Sequence, residues 1–101
     1  MKDNVNLFLN ESETLKKVVN KDSTYWEGFV DSTKSLLQEL IKIVDVSALD
    51  VTYDDGNYDP YPPTITYKKL LEISCDCNEY RINNDKVYTI KEVISFIKTI
   101  K

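Results

Sequence analysis

The chain contains no histidine, two glycines, two cysteines and a single arginine in 101 residues, and each scarcity removes a class of chemistry. Serine and cysteine nucleophiles are ordinarily activated by a base within hydrogen-bond reach, most often histidine, so triads of the common kinds are excluded. Gly28 and Gly56 lie far apart in the sequence, which leaves no glycine-rich loop to cradle the phosphates of a dinucleotide or nucleoside triphosphate. Cys75 and Cys77, one residue apart on a stretch that reads as a strand, are expected to point to opposite faces and to stay reduced. With neither a histidine nor a second cysteine pair they cannot complete a zinc site, and no metal or cofactor is expected. Basic residues are outnumbered, 13 against 17 acids for a net charge of −4. That balance argues against direct nucleic-acid binding, which clustered Lys and Arg carry. The lone Arg81 is expected to pair with a cross-strand acid. No basic segment precedes an apolar run and a cleavage site, and no apolar stretch approaches the about 18 residues of a membrane span. The expected location is the cytoplasm, without membrane attachment.

What the chain does have is enough to build a core. Of its residues 42% are hydrophobic and 11% aromatic, and a domain of this length buries roughly two-thirds of its unfolded surface. One domain over residues 1–101 is expected. Val5, Phe8, Ser12, Leu15 and Val19 follow a helical stripe, from which a helix is read from about Asn10, as N-cap, to Asn20. Thr24-Tyr25-Trp26-Glu27 is a capping box opening a second helix, whose apolar face runs Trp26, Phe29, Val30, Thr33, Leu37, Leu40, Ile41 and Val44. Leu36 and Ile43 widen that stripe toward a further contact.

From Leu49 the period shortens to two. Leu49, Val51 and Tyr53 suggest a short strand, and Thr64 to Asp76 reads as one long strand in which only Lys69 breaks the inward set. Glu79–Ile82 and Lys86–Tyr88 flank Asn83-Asn84-Asp85 as a hairpin. Thr89-Ile90-Lys91-Glu92 is a second capping box, opening a last helix with the stripe Ile90, Val93, Ile94, Ile97, Ile100. The expected class is α+β: two N-terminal helices, a three- to four-stranded antiparallel sheet, and a C-terminal helix packed on it.

The most distinctive stretch lies between Lys42 and Lys68, where Asp45, Asp50, Asp54, Asp55 and Asp59 occur with no basic residue. Tyr53, Tyr58, Tyr61 and Tyr67 are interleaved with the acids, and Pro60, Pro62 and Pro63 stiffen the segment. Tyrosines supply contact area at small entropic cost while acids steer a basic partner. Tyr53, Asp54, Asp55, Tyr58, Asp59 and Tyr61 are therefore the candidate partner-binding residues. Asp55, Asn57 and Asp59 have the opening spacing of a calcium loop, but Pro60 stands where glycine is required and Thr66 where a bidentate glutamate belongs, so that reading fails. Paired carboxylates among Asp54, Asp55 and Asp59 could serve acid–base chemistry, yet no apolar neighbour is there to raise a pKa.

The expectation is a non-enzymatic protein-binding inhibitor that occludes a partner's basic surface, of the phage or mobile-element anti-defence (anti-CRISPR-like) or toxin-immunity type. The alternatives are a homo-oligomeric assembly subunit, with Trp26 or Leu36 in a dimer interface, and a small carboxylate-dependent enzyme.

Overall fold

A computed structural model describes residues 4–16, 23–53 and 62–100, the side chains of 23–25 excepted. The order is α1 (Asn4–Lys16), α2 (Ser23–Leu40), a 3-10 turn (Val46–Ala48), β1 (Leu49–Thr52), β2 (Thr64–Tyr67), β3 (Leu71–Asp76), β4 (Glu79–Ile82), β5 (Val87–Tyr88) and α3 (Ile90–Ile100). The class is α+β as expected, with five strands rather than three or four, in a wholly antiparallel meander β1-β2-β3-β4-β5.

Period-two alternation turns every second strand residue to one face, and that face is the core: Leu49, Val51, Ile65, Tyr67, Leu71, Ile73, Cys75, Tyr80 and Ile82 are all buried. The helices cover it in chain order, α1 against β1, α2 against β3 and α3 against β4 and β5. Two layers result, and the molecule is 19 Å thick along its shortest axis. From α1 come Val5 and Phe8, from α2 Trp26, Val30, Leu36, Leu37 and Leu40, and from α3 Val93 and Ile97, each 1% exposed or less. Burying each such aliphatic or aromatic side chain contributes roughly 1.5–3 kcal/mol.

Four expectations are corrected. The first helix begins at Asn4, so Asn10 lies inside it rather than capping it; the stripe Val5, Phe8 and Ser12 is nonetheless the buried one, and Val19 is outside the described residues. The run from Thr64 to Asp76 is two strands joined by a turn at Lys68–Lys69, where the Leu70 N–H donates to the Tyr67 carbonyl at 3.1 Å. Trp26 and Leu36 are 1% and 0% exposed, so neither is available to a dimer interface. The two cysteines share a side, as residues two apart on a strand must. Cys75 is buried in the core, and Cys77, in the β3–β4 turn, packs against α2 at Gly28; neither is in a disulfide.

The second capping box is present in full: the Thr89 N–H donates to the Glu92 carboxylate at 2.8 Å and the Glu92 N–H to Thr89 Oγ1 at 3.2 Å. The first rests on Thr24, whose side chain is outside the described residues. The β3–β4 turn is tied to α2 by the Asn78 N–H on Ser32 Oγ and the Tyr80 hydroxyl on the Ser32 carbonyl, both at 2.7 Å.

A Cβ on Gly28 would collide with Cys77 Sγ, which explains a glycine inside α2 where alanine would favour the helix by about 1 kcal/mol. Overpacking costs roughly 1–3 kcal/mol, so Gly28→Ala alone is expected to destabilise. In a Cys77→Ala background the sign reverses and the same change stabilises by about 1 kcal/mol. Urea midpoints of the four proteins in this cycle provide the check; a stabilising Gly28→Ala in the native background contradicts the contact.

Candidate functional site

The alternate residues of the strands form the sheet's second face, which no described helix covers. Its pattern follows from the register. One row, Thr52, Thr64, Ser74, Arg81 and Val87, crosses all five strands. On one side of it lies Asp50, opposite Thr66, which in turn is opposite Glu72. On the other side Asp76 stands directly opposite Glu79. This face is a strip of hydroxyls bounded by acids at both ends, with Arg81 in its central row. Arg81 lies across from Ser74 and Val87 and reaches the Asp85 carbonyl at 3.5 Å rather than a cross-strand carboxylate, which corrects the expected ion pair.

The acids on the two sides of the molecule are held differently. Among the described residues every ion pair involves the helices: Lys16 with Glu13 at 3.2 Å and Asp31 at 3.0 Å, Lys34 with Glu13 at 3.5 Å, and Lys42 with Glu39 at 3.3 Å. Lys16 lowers the Glu13 pKa, through their hydrogen bond and then its charge. Among the described residues Asp50, Glu72, Asp76 and Glu79 have no such cation. Like charges directly opposite on adjacent strands are destabilising, so the Asp76–Glu79 pair is a local cost that the fold bears. Its field reaches Cys77, whose thiol pKa is raised first by burial and then by the charges of Asp76 and Glu79.

The edge beside this face is closed. The Lys68 N–H donates to the Ala48 carbonyl at 2.8 Å, so the alternate residues Leu49 and Val51 turn their N–H groups outward from β1. The Leu49 N–H is taken by the Val46 carbonyl. The Val51 N–H is taken by Asp50 Oδ1 at 3.0 Å, and the Asn4 side-chain amide also donates to Asp50 Oδ1, at 2.9 Å. A peptide strand adding at β1 would meet no free donor at either residue, so contact here falls to the face rather than the edge.

Of the residues singled out in the sequence, Tyr53 is half-buried. Its ring meets Phe8 edge-on, with centroids 4.9 Å apart and planes at 74°, and burial followed by the charge of Glu11 raises its pKa. Tyr53 thus packs against the core at the start of the loop. Asp54, Asp55, Tyr58, Asp59 and Tyr61 lie outside the described residues, as do the calcium-like spacing and the carboxylate pairs drawn from them. The loop's two ends are placed: Thr52 and Thr64 are cross-strand partners in the hydroxyl row. Asp45 is accounted for structurally, since it caps the 3-10 turn by accepting from the Ser47 N–H at 3.0 Å, and that hydrogen bond lowers its pKa.

Among the described residues no three Cys, Asp or Glu side chains converge as metal ligands would, and no helix is long and apolar enough to cross a membrane. Comparison of the chain with protein-family models, with curated proteins and with solved structures returns no match.

Proposed function

We propose that this chain is a non-enzymatic binding protein of the cytoplasm that inhibits a protein partner by covering its basic surface. Anti-defence factors of phage or mobile elements, such as anti-CRISPR-like proteins, and toxin-immunity proteins are the kinds of inhibitor it would belong with. The observation that supports this reading is the uncovered sheet face, where Asp50, Glu72, Asp76 and Glu79 stand without ion-pair partners among the described residues and where Asp76 opposes Glu79 across strands. A partner's lysines or arginines placed there would supply the missing countercharge, and the like-charge pair would become favourable on binding. Asp54, Asp55, Tyr58, Asp59 and Tyr61, in the segment between Thr52 and Thr64, are proposed as further contacts to the same partner, the acids for its cations and the tyrosines as anchors.

Glu79→Lys separates binding from folding. It turns the Asp76–Glu79 repulsion into an attraction, so the variant is expected to be at least as stable as the parent. Its affinity for a basic partner is expected to fall about tenfold, and more with Glu72→Lys added. The check is capture of partner from host lysate at two salt concentrations, comparing the parent with Glu72→Lys/Glu79→Lys and with Asp54, Asp55 and Asp59 changed to Ala. A partner held by all three with equal affinity and equal salt dependence would rule the reading out.

A further inference from the structure

The end of the β2–β3 hairpin is built against local preference. Lys68 and Lys69 both hold left-handed backbone, with φ of 53° and 60°, as the first two residues of the three-residue connection Lys68 to Leu70 between the partners Tyr67 and Leu71, positions that suit Asn and Gly. The chain uses that favoured chemistry in its β4–β5 turn, where Asn83 and Asn84 have φ of 52° and 59°. Side chains with a Cβ pay on the order of 1–2 kcal/mol per residue for this conformation. Strain of this kind persists where the surroundings or a function require it. What the turn displays is Leu70, 82% exposed, the most exposed large apolar side chain among the described residues. Beside it lies a hollow of about 330 Å³ lined by Tyr67, Lys68, Leu71, Asn83 and Ile100 as well as by Leu70 itself, with the Lys68 ammonium 5.3 Å from the centre of the Tyr67 ring and Ile100 44% exposed.

This patch complements itself. It carries a protruding leucine next to a mainly apolar hollow, and two lysines beside Asp50, which the register joins through Thr66 to Glu72. Lys68 and Lys69 share a second hollow, of about 530 Å³, with Asp50 and Thr66, yet no ion pair joins these charges within the chain among the described residues. A two-fold axis places a surface against its own copy, so each feature meets the complement of the other. We propose that two copies of this chain pair through the β2–β3 hairpin end. Leu70 of each copy seats in the Tyr67, Leu71 and Ile100 hollow of the other, and Lys68 and Lys69 of each face Asp50 and Glu72 of the other. The acids at Asp76 and Glu79, at the far end of the sheet, are left outside this contact. The dimer and the partner proposed above would compete for Asp50 and Glu72, but the dimer rests on the hairpin end and its readout needs no partner, so either reading can fail alone.

Sedimentation velocity with light scattering over a range of protein concentrations tests it without any unidentified ligand. The full chain is expected to show a monomer–dimer equilibrium that weakens with salt. Leu70→Asp, at a position where exposure leaves the fold unaffected, should raise the dimer dissociation constant roughly tenfold or more. Lys68→Glu/Lys69→Glu and Glu72→Lys should each dimerise less than the parent alone and form a mixed dimer when combined, because the turn then faces an opposite charge at position 72 in both directions. Should the glutamates disturb the turn, Lys68→Asn/Lys69→Gly removes the same charges in the turn's preferred chemistry and is expected to melt higher while dimerising less. A chain that stays monomeric at several hundred micromolar, a Leu70→Asp variant that dimerises like the parent, or a mixture that forms no mixed dimer overturns the proposal.

Discussion

Trp26→Ala is expected to destabilise the fold severely, short of unfolding it outright near room temperature. Trp26 is 1% exposed, and its indole N–H donates to the Leu15 carbonyl at 2.7 Å near the end of α1. The residue therefore joins α2 to α1 by packing and by a part-buried hydrogen bond. Emptying such a site costs about 3–5 kcal/mol, against the roughly 5–15 kcal/mol that a domain of this kind possesses. Trp26→Phe divides the two contributions. It keeps most of the packing but leaves the Leu15 carbonyl without its donor, for an expected loss of about 1–3 kcal/mol. Urea unfolding followed by far-ultraviolet circular dichroism measures both. A loss below about 1 kcal/mol for Trp26→Ala would mean that α1 does not pack on α2 as described.

That packing was half legible in the sequence. The stripe through Val5, Phe8 and Ser12 was correct, but Asn10 resembled an N-cap because asparagine favours caps, and tertiary burial of Val5 and Phe8 extends the helix back past it. The capping box at Thr89 and Glu92 was readable because its partners lie three residues apart and depend on nothing distant. The fusion of β2 and β3 has a different cause. Tyr67 and Leu71 are cross-strand partners facing the same way, and their even separation lets the alternation pass through the turn unbroken. The turn's Lys-Lys chemistry hid it as well, leaving Lys69 at an inward position as the one available signal. The acidic face was illegible for a related reason. Sequence shows Asp76 and Glu79 as near neighbours, but only the register sets them opposite each other, and only the register joins Asp50 to Glu72 through Thr66. Tyr53 carries two signals at once: period two places it inward with Leu49 and Val51, where its ring meets Phe8, while its place at the start of the tyrosine-rich segment marks it as a candidate contact.

The same cross-strand geometry predicts how the protein responds to alkali. Cys75 and Tyr80 are direct partners on β3 and β4, both buried. Burial pushes the Cys75 thiol from its ordinary 9.0 up to about 12. Burial, and then the charge that Cys75 would carry, pushes the Tyr80 phenol from 10.0 to about 12. In the unfolded chain the thiol releases its proton near 9.0 and the phenol near 10.0, whereas the folded chain holds both to about 12. Between those values the unfolded state binds fewer protons, so stability falls as pH rises. The contribution of the pair is complete below pH 9 and is lost as pH approaches 12. For the thiol alone the loss is on the order of 4 kcal/mol, at roughly 1.4 kcal/mol per unit, enough to unfold a marginal domain. Urea unfolding at stepped pH should therefore show constant stability up to about pH 9 and a steady decline above it. Cys75→Ala should leave only the shallower decline that the raised Cys77 thiol causes above pH 9 until the phenol adds to it above 10, while Tyr80→Phe should leave the onset at 9 and flatten the decline. A parent protein equally stable from pH 9 to 12 would show that the two groups ionise in place, and that the β3–β4 pair is open to water in a way its packing under Ser32 and Thr33 does not allow.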